Sequence, residues 1–266
     1  MIYKIATTLF LTCALTAQPP TLFLQDCYFL QFPAEIEEIQ LLENPAKIAP
    51  QEEVVHIRKI DPAEIVRCEM IAHVPLLAHE NPRSVLIFGD EDGGITKQVL
   101  KHPTVERIFI VSATDQKNPI ADERISRITE DPARFVKKSD ETFDVILCDI
   151  IYQAPPAEFY AHCKDLLNKR GIFVNNSGTP LIELDSLGPV TANRAPHFKH
   201  TTYYLASTPQ GQVAYGWASD KKYRVSESIL EMRLTKIKEP MLYYTPEVHR
   251  AAFALPNFIL SCTSSN

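Results

Sequence analysis

Three aspartates in this sequence fall where apolar runs end, and their types and settings could do chemistry together. Asp92 lies in the turn Gly89-Asp90-Glu91-Asp92-Gly93-Gly94, Asp131 follows "RISRIT", and Asp149 closes "FDVILCD". A fixed carboxylate can hold an ammonium, accept a hydrogen bond from an exocyclic base amine, or take the proton of an attacking amine. Gly93 and Gly94 let backbone approach a ligand and start the helix, and with Gly89 they make a turn of the nucleotide-binding kind, yet the acids would repel a phosphate. The positive end of the following helix can hold one carboxylate of the turn. The turn therefore suits a cationic nucleoside, one bearing an amine or sulfonium, better than a dinucleotide. For each aspartate taken alone a plainer role exists, the helix N-cap, and Asp131-Pro132 is a good cap and first-turn pair. Three acids at the strand ends of one sheet favour a site.

The elements that must position these acids follow from the pattern. "SVLIFG", "VERIFIVS", "RISRIT", "TFDVILCDII" and "GIFVNNSG" read as strands, with helices over "GGITKQVLKH", "DPARFVKK" and "PAEFYAHCKDLLNKRG", the last closed by Gly171. Runs such as Val85–Phe88 lack polar alternation, which suits strands covered on both faces. A helix precedes them in "DPAEIVRCEMIAHVPLLAHENP", with Asp61 as N-cap, Pro62 at the first position and Glu64 in the first turn. Ile65, Cys68, Met70, Ile71, Val74 and Leu77 form its expected buried stripe. "KHTTYYLAS" and "QVAYGWAS" read as a closing antiparallel pair. The fold class is α/β, a doubly wound, methyltransferase-like (Rossmann-like) sheet over 61–266, preceded by a small N-terminal β-rich domain over 1–60. In such sheets ligands bind at the carboxyl ends of the strands.

Composition narrows the function. The 266 residues carry a net charge of −6, against a nucleic-acid partner, which needs clustered Lys and Arg. No run reaches the length of a membrane span. Six scattered cysteines form no CxxC pair, and Cys68, Cys148 and Cys163 fall in apolar segments, as free thiols of a reducing cytoplasm would. "MIYKIATTLFLTCALTAQPP" reads as a strand of the N-terminal sheet or, with its single early lysine and poor cleavage site, as an export signal. The eight histidines supply no ligand set, so no metal is expected.

Two blocks carry a resemblance. The turn with its following Leu100-Lys101-His102-Pro103, together with "EMIAHVPLLAHENPRSVLI", resembles the polyamine aminopropyltransferases, the spermidine synthase family, which carry GGGDGG at this turn. "LYYTPEVHRAAFALP" near the C-terminus is also similar to a family tail. The resemblance implies transfer of the aminopropyl group of decarboxylated S-adenosylmethionine to a diamine such as putrescine, giving spermidine and methylthioadenosine. It implies Asp149 as catalytic base, Asp92 as anchor of the donor amine, and Asp131, within Glu130-Asp131-Pro132, as the adenine contact. It further implies a homodimer or homotetramer, small-molecule substrates only, and no bound cofactor, the nucleoside being a co-substrate.

The sequence also departs from the family. Asp90 and Glu91 replace glycines. The ribose-binding acid is Ser112, with Asp115 as a possible stand-in. The second acid after Asp149 is Tyr152, a family glutamine is Asn176, and Gly211 stands where a tyrosine would line the acceptor pocket. The Tyr-His pair before "EM" is Arg67-Cys68. Turned inward, Arg67 would repel a dicationic diamine; turned outward, it would be a solvated helix residue. These changes leave open a non-catalytic or repurposed member of the fold with an altered acceptor site.

Overall fold

The computed structural model describes residues 61–115, 119–150, 155–180 and 184–263. The N-terminal unit expected over 1–60, with its strand or export signal, lies outside the described residues, as does Tyr152. Among the described residues no helix is long and apolar enough to cross a membrane.

Helix α1, Pro62–Ala78, starts as its sequence dictates: Asp61 Oδ1 accepts the N–H of Ala63 at 2.9 Å, and Pro62 occupies the first turn, where a missing N–H is harmless. From Cys68 to Ala78 every residue of the helix is buried, so its apolar surface extends well beyond the single stripe expected. Strand β1, Ser84–Phe88, follows, then α2, Gly94–Leu100, and β2, Arg107–Ser112. Next come β3, Ile125–Thr129, α3, Pro132–Lys138, β4, Phe143–Cys148, α4, Ala157–Asp165, and β5, Leu167–Asn176. Helix α5, Leu184–Arg194, leads to the antiparallel strands β6, His200–Thr208, and β7, Gly211–Ser219. Three short helices close the chain: α6, Glu227–Leu234, α7, Pro246–Ala252, and α8, Asn257–Thr263.

The seven strands form one sheet in the order β3-β2-β1-β4-β5-β7-β6, parallel except where β7 meets β5 and β6. All five residues of β1 are buried. Their alternation divides the core: Val85 and Ile87 pack with α1, while Leu86 and Phe88 pack with Phe135, Phe159 and Tyr160 of the opposite layer. This is the two-sided burial that unbroken apolar strands require. The chain runs outward from β1 to β2 and β3, then returns to β4 on the other side of β1. The switch point, where a crevice opens at the strands' carboxyl ends, is thus between β1 and β4.

One boundary differs from the sequence reading. The helix before β5 ends at Asp165, not at Gly171. Strand β5 begins at Leu167, paired with Phe143, and the register shifts between Phe143 and Val145. Gly171 lies inside that irregular strand, where a Cβ would stand 2.7 Å from Leu167 Cδ2. The glycine serves a close approach rather than a helix cap.

Candidate active site

The switch-point turn is held by its own acids. Asp90 takes a left-handed backbone, φ 64, a conformation aspartate tolerates better than most residues, where the family pattern has glycine. Its side chain points inward. Oδ1 accepts the N–H of Ile95 and Oδ2 that of Thr96, both at 2.8 Å, and Oδ2 also takes the Thr96 hydroxyl. Asp90 thus caps the open donors at the start of α2. Burial pushes its pKa up to about 6, although the Thr96 hydroxyl and the backbone N–H groups pull against that rise. Glu91 stays exposed and accepts the Thr114 hydroxyl at 2.8 Å. The two added acids therefore part: one becomes a structural cap and the other turns outward. Gly89 leaves β1 with φ +91, and Gly93, φ +75, precedes α2. At Gly94 a Cβ would lie 2.5 Å from Cys68 Sγ, so α1 and α2 meet closely beside the site.

Asp92 and Asp149 come together. Asp92 Oδ1 accepts the Gly94 N–H at 2.8 Å. Asp149, directly after β4, has its backbone N–H on Phe88 O at 3.0 Å, and its Oδ1 accepts from the Asn176 amide at 3.1 Å. Between their other oxygens lies one guanidinium: Arg67 donates through Nη2 to Asp92 Oδ2 and through Nη1 to Asp149 Oδ2. The side chains of Arg67, Asp92 and Asp149 are 22%, 46% and 8% exposed, so the bridge runs from the mouth of the crevice to its floor. Arg67 points into the site, not to solvent.

The charges respond to this arrangement. Burial raises the Asp149 pKa, with Arg67 and the Asn176 amide opposing it. Burial also acts on Asp92, but there the Gly94 N–H and Arg67 prevail and its carboxyl is held below the usual range. Burial works most strongly against the charge on Arg67, yet Asp149, Asp92, Asp90 and the neighbouring Cys68 together outweigh it, so the guanidinium is held more firmly cationic than in water. The Cys68 thiol is pushed up by burial and stays neutral.

The remaining predicted residues lie along the same edge of the sheet without touching this trio. Ser112 ends β2, and its Oγ accepts the Thr114 N–H at 3.2 Å. Glu130, just beyond β3, places its N–H on Ser112 O at 2.9 Å. Its side chain pairs with Lys138 at 2.7 Å. Asp131 is exposed and caps α3, its Oδ1 accepting the Arg134 N–H at 3.0 Å. Asp115 accepts the Thr129 hydroxyl at 2.7 Å. Sequence reasoning missed Tyr215, which pairs with Asn176 across β5 and β7. Its buried hydroxyl has no partner among the described residues. Burial, then Asp149, raises its pKa. An apolar-looking strand, "QVAYGWAS", gave no signal for it. A separate concavity of about 1250 Å³ along β6, lined in part by Lys199, Trp217 and Arg250, shares none of these residues.

A doubly wound sheet of methyltransferase-like order, with paired acids at its switch point, defines the class: an α/β, methyltransferase-like fold. Comparison with known proteins makes the assignment narrower. Residues 64–227, more than half of the chain, match the spermine/spermidine synthase domain. A polyamine aminopropyltransferase of Ruegeria sp. (strain TM1040) is 35% identical, over 72% of this chain and 76% of its own. One of Pseudomonas syringae pv. tomato is 32% identical, over 85% and 87%. The crystal structure of spermidine synthase from Thermotoga maritima superposes with a TM-score of 0.68 at 30% identity, covering 75% of this chain and 74% of that one. The chain belongs to the spermine/spermidine synthase family, and it is a transferase of the spermidine synthase type.

Proposed function

We propose that the protein transfers the aminopropyl group of decarboxylated S-adenosylmethionine to putrescine or a similar diamine. The observation that carries this reading is the meeting of Asp92 and Asp149 at the switch point, close enough for one guanidinium to touch both. Asp92 holds the ammonium of the donor's propyl arm, Ser112 and Asp131 face the nucleoside, and Asn176 orients Asp149. An alkylamine has a pKa of about 10.4 and attacks only when neutral. Asp149 takes its proton, the nitrogen bonds to the carbon next to sulfur, and the carbon–sulfur bond breaks with its electron pair returning to sulfur. Neutral methylthioadenosine leaves. The sulfonium is itself the leaving group, so the step draws on no metal or redox group. Among the described residues, Cys68, Cys148 and Cys163 are buried free thiols, which supports a cytoplasmic setting, and the family resemblance supports a homodimer or homotetramer.

The test is release of methylthioadenosine from the donor in the presence of putrescine, followed by mass spectrometry. Asp149→Asn is expected to slow turnover by roughly 10² to 10⁴, the usual contribution of a general base, while donor binding persists. No release with putrescine or any other amine would overturn the reading. Arg67 favours a second reading, a repurposed acceptor side, because it brings a positive charge where an acceptor amine would come. Release only with an amine other than a diamine would establish it.

A further inference from the structure

We infer that Arg67 is a built-in competitor for the substrates' ammonium groups and so determines how tightly the site takes cations. The inference rests on the transferase reading above and goes beyond it. A guanidinium remains charged at every pH the protein meets. It bridges the two carboxylates that the transfer needs, one for the donor's ammonium and one for the acceptor's proton. The other oxygen of each carboxylate is already engaged, by the Gly94 N–H on Asp92 and the Asn176 amide on Asp149. No oxygen of either acid is left without a hydrogen-bond donor.

By itself this arrangement is favourable. Asp149 is nearly buried, and an unpaired buried carboxylate is costly. Arg67 neutralises it and separates it from the charge of Asp92. When substrate arrives, that neutralisation must be undone. Each incoming ammonium exchanges with the guanidinium instead of meeting a free anion, and part of the attraction is spent on displacing Arg67. The side chain has a way out: it sits near the start of α1, and its neighbours Glu64 and Asp92 lie toward solvent. Methylthioadenosine carries neither ammonium nor sulfonium and does not compete with Arg67. The arrangement therefore weakens binding of charged substrates and spares the neutral product.

Titration calorimetry with methylthioadenosine and with decarboxylated S-adenosylmethionine, on the wild type, Arg67→Met and Arg67→Lys, tests this. Arg67→Met is expected to bind the charged donor about tenfold or more tightly, the scale of one charge pair at a partly buried site, with a parallel fall in the KM for putrescine. Methylthioadenosine is expected to bind all three alike, which also reports that the variants are folded, and Arg67→Lys is expected to stay near the wild type. Should Arg67→Met not fold, Arg67→Gln removes the same charge and keeps a hydrogen-bonding end. Equal or weaker donor binding by the neutral variants, with methylthioadenosine unaffected, would overturn the inference, leaving Arg67 as a prop that holds the acids in place and the transferase reading intact. A wild type that binds neither nucleoside would overturn both.

Discussion

The carboxylate of Glu69 accepts the backbone N–H of Tyr244 at 2.8 Å, joining α1 to a segment 175 residues further along the chain. The same side chain takes the N–H of Tyr243 at 2.8 Å and of Leu242 at 2.9 Å. Glu69 is the residue next but one to Arg67, so this clamp fixes the part of α1 from which the site's guanidinium extends. The start of the tail that resembles its family so closely is therefore tied to the helix that carries Arg67.

Removing the Glu69 carboxylate should be costly. Glu69→Ala strips the partner from three N–H groups, the Tyr244 one in a buried setting, and each lost partner costs about 1–3 kcal/mol where water cannot replace it. Urea unfolding is expected to show a loss of about 3 kcal/mol or more. Glu69→Gln, which keeps one acceptor oxygen, should lose less.

Gly216 and Gly188 make a matched pair. A Cβ at Gly216 would stand 1.6 Å from Arg194 Nη1 and 2.5 Å from Asn175 Oδ1. Arg194 is fully buried, donating to Asn175 Oδ1 at 2.8 Å and to Thr202 O at 3.2 Å over the Tyr203 ring. Gly216→Ala must displace that side chain, and overpacking of this kind costs about 1–3 kcal/mol before any hydrogen bond is lost. At Gly188, inside α5, a Cβ meets nothing within 4 Å. Gly188→Ala is expected to change stability by less than about 1 kcal/mol, since the crowding of a Cβ by the ring of the following Pro189 offsets alanine's better helix propensity. Thermal unfolding is expected to shift clearly downward for Gly216→Ala and little for Gly188→Ala.

Asp90 should leave a mark on the pH dependence of stability. Its folded pKa, about 6, lies above that of a carboxyl in the unfolded chain, so the folded state binds this proton more tightly. The stability this adds is fully present below the unfolded pKa and is lost as pH rises through about 6. Asp90→Asn has no proton to lose there. The stability of the wild type relative to Asp90→Asn is expected to fall between about pH 4 and pH 6. A flat difference over that window, from denaturant titrations at each pH, would show that Asp90 is already ionised at its helix terminus.

The sequence by itself determined the local structure and the place of the candidate site in the fold. Asp61-Pro62 and Asp131-Pro132 start helices because a side-chain oxygen and a missing N–H satisfy a helix end from within a few residues. Unbroken apolar runs such as Val85–Phe88 could only be covered on both faces. The acids at the ends of β1 and β4 could be placed at a ligand crevice from strand order alone. Tertiary structure decided what those acids touch. Whether Arg67 faced solvent or Asp149, 82 residues away, depended on how α1 is rotated against the sheet, which the Glu69 clamp and the Cys68–Gly94 approach set. Asp90 turned inward because the unsatisfied N–H groups of α2 outbid water for it. The helix before β5 stopped at Asp165 because Leu167 found a ladder partner in Phe143, and a pairing between distant segments leaves no periodicity to read. Contacts within a few residues are encoded where they occur; charge pairs and strand pairs across the fold exist only once the chain has closed.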